Sequence, residues 1–294
     1  MTVDTQTADA AVPVSKPGNA IWRQASRNPG VIIGGSVLLL MTLIAIFAPF
    51  LGTVDPVNID PISRLKKPLT DWFLGTDAFG RDIYSRIIYG ARISLIVGAG
   101  AAVLSIGIGL FIGLISGYFR MVDAIVMRVM DGLMAIPGIL LAIALVSLSG
   151  ASLLTVMVAI TIPEIPRVVR LVRSVVLSIR EEPYVEAAIS IGTPLPLILI
   201  RHVMPNTFAP LIVQGTYICA SAMLTEAILS FLGAGIPPEI PTWGNIMAEG
   251  RVYFQIAPWI ILFPGIFLSL TVLGVNVLGD GLRDTLDPRL AKRV

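Results

Sequence analysis

Charge is scarce in this chain. Of its 294 residues 14% are Asp, Glu, Lys or Arg, against about 25% in a typical soluble protein, and 55% are hydrophobic. So little polar surface could not cover a globule of this size, and the mean hydropathy of +0.85 agrees. The missing water-facing surface implies lipid. The single cysteine, Cys219, allows no internal disulfide and sits in an apolar run, where a small buried hydrophobe is its expected role. One histidine, His202, and no carboxylates at metal-binding spacing leave no metal site and no catalytic triad. No Gly-x-x-x-x-Gly-Lys-Ser/Thr stretch occurs and no glycine precedes any of the four lysines, so ATP phosphates find no cradle of that kind. A net charge of +2 without a dense basic cluster sets nucleic acid aside. No bond-making chemistry is expected here.

What is present is a series of long charge-free runs. A spanning helix needs roughly 20 mostly apolar residues to cross about 30 Å of hydrocarbon. Four runs qualify: Val31 to Asp55, Ile93 to Phe119, Gly132 to Pro163 and Val252 to Gly279. A fifth, Val203 to Thr225, continues past Glu226 to Pro238. The third is too long for one helix and too short for two, and Ser147 to Ser152 in its middle reads as a tight turn. Its second helix must therefore continue through Glu164 and Arg167, with Arg167, Arg170 and Arg173 near its far end, where their stems can snorkel. The expected fold is an all-α integral membrane protein of six transmembrane helices with a long cytoplasmic loop.

An even number of spans puts both termini on one side. The N-tail, the Arg120 to Arg128 loop, the Arg167 to Arg201 stretch and the C-tail hold 14 Lys and Arg, and the alternate loops hold 7. The positive-inside rule assigns the larger set to the cytoplasm. Residues 1–27 are then a cytoplasmic tail, 28–92 a first span with its outer connection, 93–279 a five-helix core with the loop 178–205, and 280–294 a second cytoplasmic tail. The run Val31 to Leu51 is too long for a signal-peptide core and reads as an uncleaved span. In the outer connection, Ile83, Ile87 and Ile88 follow helical spacing, and a helix along the membrane surface is expected. The other outer connection, Gly233 to Pro258, carries four prolines and a Trp-Gly pair, consistent with a folded-back loop sealing one end.

The inner loop from Glu181 to Pro205 has readable punctuation. Glu181 and Glu182 with Pro183 suit a helix start, since anions favour the positive end and proline loses no useful N–H there. Gly192 suits the stop, because a left-handed closing residue is cheap without a Cβ. Thr193 and Pro194 then predict a second start, with threonine as cap, and Pro205 leads into the next span. The expected product is a rigid elbow that exposes the small residues Ala187 and Ala188 to a partner.

The element Glu186-Ala-Ala, with Gly192 six residues after Glu186 and the ending His202-Val-Met-Pro205, resembles the signature of permease subunits of ATP-binding-cassette importers. Further stretches are similar to the dipeptide and oligopeptide branch, and to its "C" permease most of all. They are Leu74-Gly-Thr-Asp-Ala-Phe-Gly-Arg-Asp82 with Ser85-Arg86, Tyr89-Gly-Ala-Arg92, Glu226-Ala-Ile-Leu-Ser-Phe-Leu-Gly233, Pro241-Thr-Trp-Gly244 and Gly279 to Arg289. The resemblance implies a coupling helix that docks on a separate ATPase subunit, with that role carried by Glu186, Ala187, Ala188, Gly192, His202 and Pro205. It implies a homologous permease subunit, two ATPase subunits or domains, and an extracytoplasmic solute-binding protein as partners, in a bacterial cytoplasmic membrane. It also implies that ATP and Mg belong to the partner chains, with no cofactor on this one. Where the family usually shows a Trp-Pro and Ala-Arg arrangement, this chain has Pro163-Glu-Ile-Pro-Arg167.

Several intramembrane residues carry two readings. Glu226 either lines a translocation path or hydrogen-bonds across helices. Glu164 is expected to pair with Arg167 or face a watery cavity, and Asp131 to pair with Arg128. His202 reads as a cap of the second short helix, and Gly98, Gly100, Gly107, Gly109 and Gly113 as close-packing positions. The functional expectation is a permease subunit of an ATP-driven importer for peptides or similar small solutes. Its rivals are an ion-coupled secondary carrier using Glu226 or Glu164, and a non-transporting scaffold that docks an ATPase.

Overall fold

The computed structural model describes residues 24–69 and 71–286. Most of the expected N-terminal tail, the end of the C-terminal tail and the resemblance at Arg289 lie outside the described residues. Helix α1 spans Pro29–Ile46, with proline in its first turn and the Asn28 side chain accepting from Gly30 N at 2.8 Å. Helix α2 spans Ile83–Tyr118, capped by Asp82, whose carboxylate accepts from Ser85 N at 2.9 Å. After Phe119 come α3, Arg120–Ala135, and α4, Gly138–Ser149, bent by 89° at Ile136-Pro137. Ser152 caps α5, Leu153–Ile179, by accepting from Thr155 N. Two short helices follow, α6 at Pro183–Ser190 and α7 at Leu195–Ile198. A π turn at Leu199–Val203 and a 3-10 turn at Met204–Thr207 lead into α8, Phe208–Phe231. Helices α9, Trp243–Gly250, and α10, Trp259–Leu286, complete the described chain.

Among the described residues there is no strand, only one antiparallel bridge between Thr76 and Asp82. Pro29–Ile46, Ile83–Tyr118, Leu195–Phe231 and Trp259–Leu286 are long and apolar enough to cross a membrane, and the bent pair α3 and α4 would make a fifth crossing. Helix α5, about 40 Å long at 1.5 Å per residue, has the reach but carries Glu164, Arg167, Arg170 and Arg173 along its length.

Close packing comes from complementary small and branched residues. Helix α2 lies on α5 with Gly109, Gly113 and Gly117 opposite Val168, Val172 and Val176, one helical turn apart on each side. A Cβ on those glycines would stand 2.5 to 2.7 Å from the facing valine Cβ atoms, so only glycine permits the approach. Gly98 meets Met223 and Cys219, and Gly100 meets Met157, whereas a Cβ on Gly107 would meet nothing within 4 Å among the described residues. Helix α1 is held to α10 the same way: a Cβ on Gly34 would stand 2.4 Å from the Leu278 backbone nitrogen.

The structure corrects three expectations. Residues 83–92 form no separate surface helix, because the i to i−4 ladder runs unbroken from Ile83 to Tyr118. Ile83, Ile87 and Ile88 are buried, the first two packed with Trp243, Ile246 and Ile260, so their helical spacing marks a core face rather than a lipid-facing one. The boundaries drawn at 92 and 279 accordingly fall inside α2 and α10. Finally, the Gly233 to Pro258 connection is built around a helix, α9, because Thr242 and Asn245 cap its start reciprocally and Trp243 anchors it in the core.

Candidate functional site

The elbow forms as its sequence dictates. Pro183 stands in the first turn of α6 behind Glu182, and the helix closes on Gly192, whose φ of +79° is the left-handed conformation that a Cβ penalises. Gly192 N donates to Ile189 O at 2.9 Å and Thr193 N to Ala188 O at 3.0 Å, the paired bonds of a Schellman closure. Val185 points inward and packs with Val172, Val176 and Ile198, fixing the elbow to α5 and to the start of the α8 run, and Ala188 on the same face of α6 is buried too. Glu186, Ala187 and Gly192 remain exposed, as does Ile191 at 83%.

Three expected details differ. Ala188 is only 6% exposed, so it anchors the elbow instead of offering a contact surface, because α6 turns its i, i+3 face of Val185 and Ala188 into the core. The Thr193 side chain caps nothing. The second helix begins one residue later behind Pro194, with Pro196 in its first turn. His202 caps no helix end with its ring either; its carbonyl accepts from Asn206 Nδ2 at 2.7 Å, and its ring lies 6.2 Å from that of Tyr184. His202, Tyr184, Ala187, Ile191, Leu197 and Arg201 border one concavity of about 410 Å³ on the elbow. Pro205 sits in the 3-10 turn that follows the π turn, where its missing N–H interrupts the helical ladder.

At the opposite end, Glu226 is 1% exposed. Its Oε1 accepts from Ser230 Oγ and Thr242 Oγ1, both at 2.8 Å, tying α8 to the cap of α9. Gly244 lies so close that a Cβ there would stand 3.0 Å from Glu226 Oε2. Of the two readings of Glu226, hydrogen bonding across helices is the one the coordinates display.

Sequence reasoning missed a second cluster, which joins the start of α2 to the end of α9. Arg86 Nη1 donates to Asp77 Oδ2 and to Glu249 Oε2, each at 2.6 Å, while Arg81 reaches the same Asp77 oxygen through Nε and Glu249 through Nη2. Two guanidinium groups and two carboxylates thus balance in a site where Arg86 is 1% exposed, and among the buried atoms of the cluster Arg86 Nε lacks a partner. The signal lay in the density of charge between Asp77 and Arg86 in a mostly apolar chain.

Midway along α5, Arg167 Nη1 stands 3.1 Å from both oxygens of Glu164, as expected. Asp131 pairs not with Arg128 but with Arg170 Nη2 at 2.6 Å, because the bend after α3 lays that helix against α5. Arg173 grips Asp123 with two nitrogens. No cluster of metal-binding side chains occurs among the described residues.

Residues 105–292 match the family described as binding-protein-dependent transport system inner membrane component, and residues 16–68 match the N-terminal transmembrane domain of oligopeptide transport permease C. A probable peptide ABC transporter permease of Sinorhizobium fredii is 55% identical over 94% of both chains. The dipeptide permease DppC of Alkalihalophilus pseudofirmus is 43% identical, covering 93% of this chain and 90% of that one. The oligopeptide permease OppC of Bacillus subtilis is 37% identical, covering 97% and 95%. Among solved structures, the inward-facing MetNI methionine ABC transporter aligns with a TM-score of 0.54 at 18% identity, over 70% of this chain and 98% of its own, and shares the fold. The chain therefore belongs to the binding-protein-dependent transport inner membrane components, as a C-type permease subunit of an ATP-binding-cassette importer.

Proposed function

We propose that this permease moves di- or oligopeptides inward across a bacterial cytoplasmic membrane, crossing it six times with both termini in the cytoplasm. A homologous permease, two ATPase subunits carrying ATP and Mg, and an extracytoplasmic solute-binding protein complete the assembly. The peptide and dipeptide transport named for its relatives supports the cargo class. The excess of Lys and Arg in the segments assigned inside supports the orientation.

The observation that carries the mechanism is the build of the elbow. Glu186, Ala187 and Ile191 stand on its outer side, while Val185 roots it between α5 and the α8 run and Ala188 is buried on the same face. An ATPase cleft that seats α6 and closes on nucleotide can displace it only as a rigid body, since the Schellman closure at Gly192 leaves no slack. Displacement then reaches α8 through the π turn at Leu199–Val203 and through Pro205, where the ladder is loosest and bending costs least. Gly192→Pro and Glu186→Lys are expected to abolish ATP-driven peptide uptake while the protein still inserts and assembles. Normal uptake by both variants would remove the elbow from the mechanism.

A further inference from the structure

The stretch Pro163-Glu-Ile-Pro-Arg167 lies midway along α5, with both prolines inside the helix. The exposed side of α5 changes character along its length. Leu154 and Val158 are apolar and exposed near its start, whereas Arg167 and Arg170 are 46% and 43% exposed farther on. Arg167 lies about 21 Å from Leu153 along the helix, well inside the thickness of a bilayer. Arginines held there face water, a partner or a ligand, since lipid would charge several kcal/mol for each.

They border a shallow cavity of about 430 Å³ together with Met134, Gln214 and Tyr217. Arg167 lies over the Tyr217 ring, 5.9 Å from its centre, which orients the guanidinium plane. Arg173 spends both sides of its fork on Asp123, but Arg167 engages Glu164 through Nη1 alone and Arg170 engages Asp131 through Nη2 alone. Donors of both therefore stay available on a wall where one carboxylate beside each guanidinium already balances its charge. A second anion can join such a pair as a hydrogen-bonded ligand without leaving an excess charge when it departs, which suits a transient site.

We infer that Arg167 and Arg170, with Gln214 and Tyr217, form a station on the translocation path that takes the free carboxylate end of the cargo. The inference rests on the importer reading and adds to it the end of the solute that this subunit holds. Glu164 and Asp131 tune the station by keeping each guanidinium partly engaged, so that the carboxylate is held briefly and released.

The test uses the complete assembly in proteoliposomes with its binding protein and ATP. One arm supplies a defined mixture of dipeptides, and the other the same mixture amidated at the C-terminus, with occupancy of the binding protein matched between arms and luminal contents read by mass spectrometry. Wild type should favour the free acids, and Arg167→Gln and Arg170→Gln should each shrink that preference about tenfold, the scale of one charge-assisted hydrogen bond. Arg173→Gln, at the pair that is already fully engaged, should preserve it. An unchanged preference in Arg167→Gln and Arg170→Gln overturns the station. Failure of these variants to co-purify with the homologous permease overturns it in favour of a subunit contact, and an equal fall in both arms overturns it in favour of a lipid-headgroup or structural role. A wild-type assembly that imports neither mixture sinks the peptide reading itself, and the station with it.

Discussion

Arg86 Nη1 and Glu249 Oε2 lie 2.6 Å apart across 163 residues of sequence, joining the first turn of α2 to the end of α9. With Asp77 and Arg81 they form a neutral foursome, so the response to substitution depends on what charge is left behind. Arg86→Met strands a buried carboxylate and should cost about 3–5 kcal/mol, lowering the thermal midpoint of the purified protein by several degrees. The double variant Arg86→Met with Glu249→Met leaves the Arg81–Asp77 pair balanced and should recover much of the loss. Equal melting of the single and double variants would show that the cluster acts through shape and not through charge.

The seam between α1 and α10 makes a sharper contrast between adjacent positions. A Cβ on Gly34 would meet Leu278 N at 2.4 Å and Gly274 O at 2.5 Å, both backbone atoms that cannot step aside, whereas a Cβ on Gly35 would meet only Leu278 Cδ1 at 4.0 Å. Gly34→Ala should therefore separate the two helices and cost about 1–3 kcal/mol, as overpacking does. Gly35→Ala should be neutral or slightly stabilising through helix propensity. Yield and melting of the two variants in detergent, measured side by side, check the pair. Identical behaviour would mean that α1 does not rest on α10 as described.

Much of this was legible in the sequence because membrane helices announce themselves by composition, and because turns and helix ends are set by a few residue types. The elbow's start at Pro183 and its stop at Gly192 were both readable, and so was the turn that separates α4 from α5. What escaped reading was tertiary. The inward face of Ala188, the partnership of Asp131 with Arg170, and the meeting of Arg86 with Glu249 all depend on which way a helix turns against another. The Ile83, Ile87 and Ile88 spacing was seen correctly, but periodicity names an apolar face without saying whether lipid or protein covers it.

Glu226 separates the importer from an ion-coupled carrier. Its Oε1 accepts two hydroxyl hydrogen bonds, from Ser230 and Thr242, and the residue is sealed by Gly244 against the first turn of α9. Glutamine keeps an acceptor oxygen in that position and nearly the same volume, so Glu226→Gln should fold, assemble and retain most ATP-driven uptake. Glu226→Ala leaves both hydroxyls without their acceptor and opens a void between α8 and α9, a combined loss of about 2–5 kcal/mol that should show as poor yield. A carrier that moved its coupling ion on this carboxylate would behave the other way, since glutamine cannot bind and release a proton and transport would stop in a well-folded protein. Uptake by Glu226→Gln, measured with and without ATP and normalised to the assembled protein, decides between the two: retained ATP-dependent transport assigns the residue to holding α9 in place, and its complete loss in an intact assembly assigns it to the path.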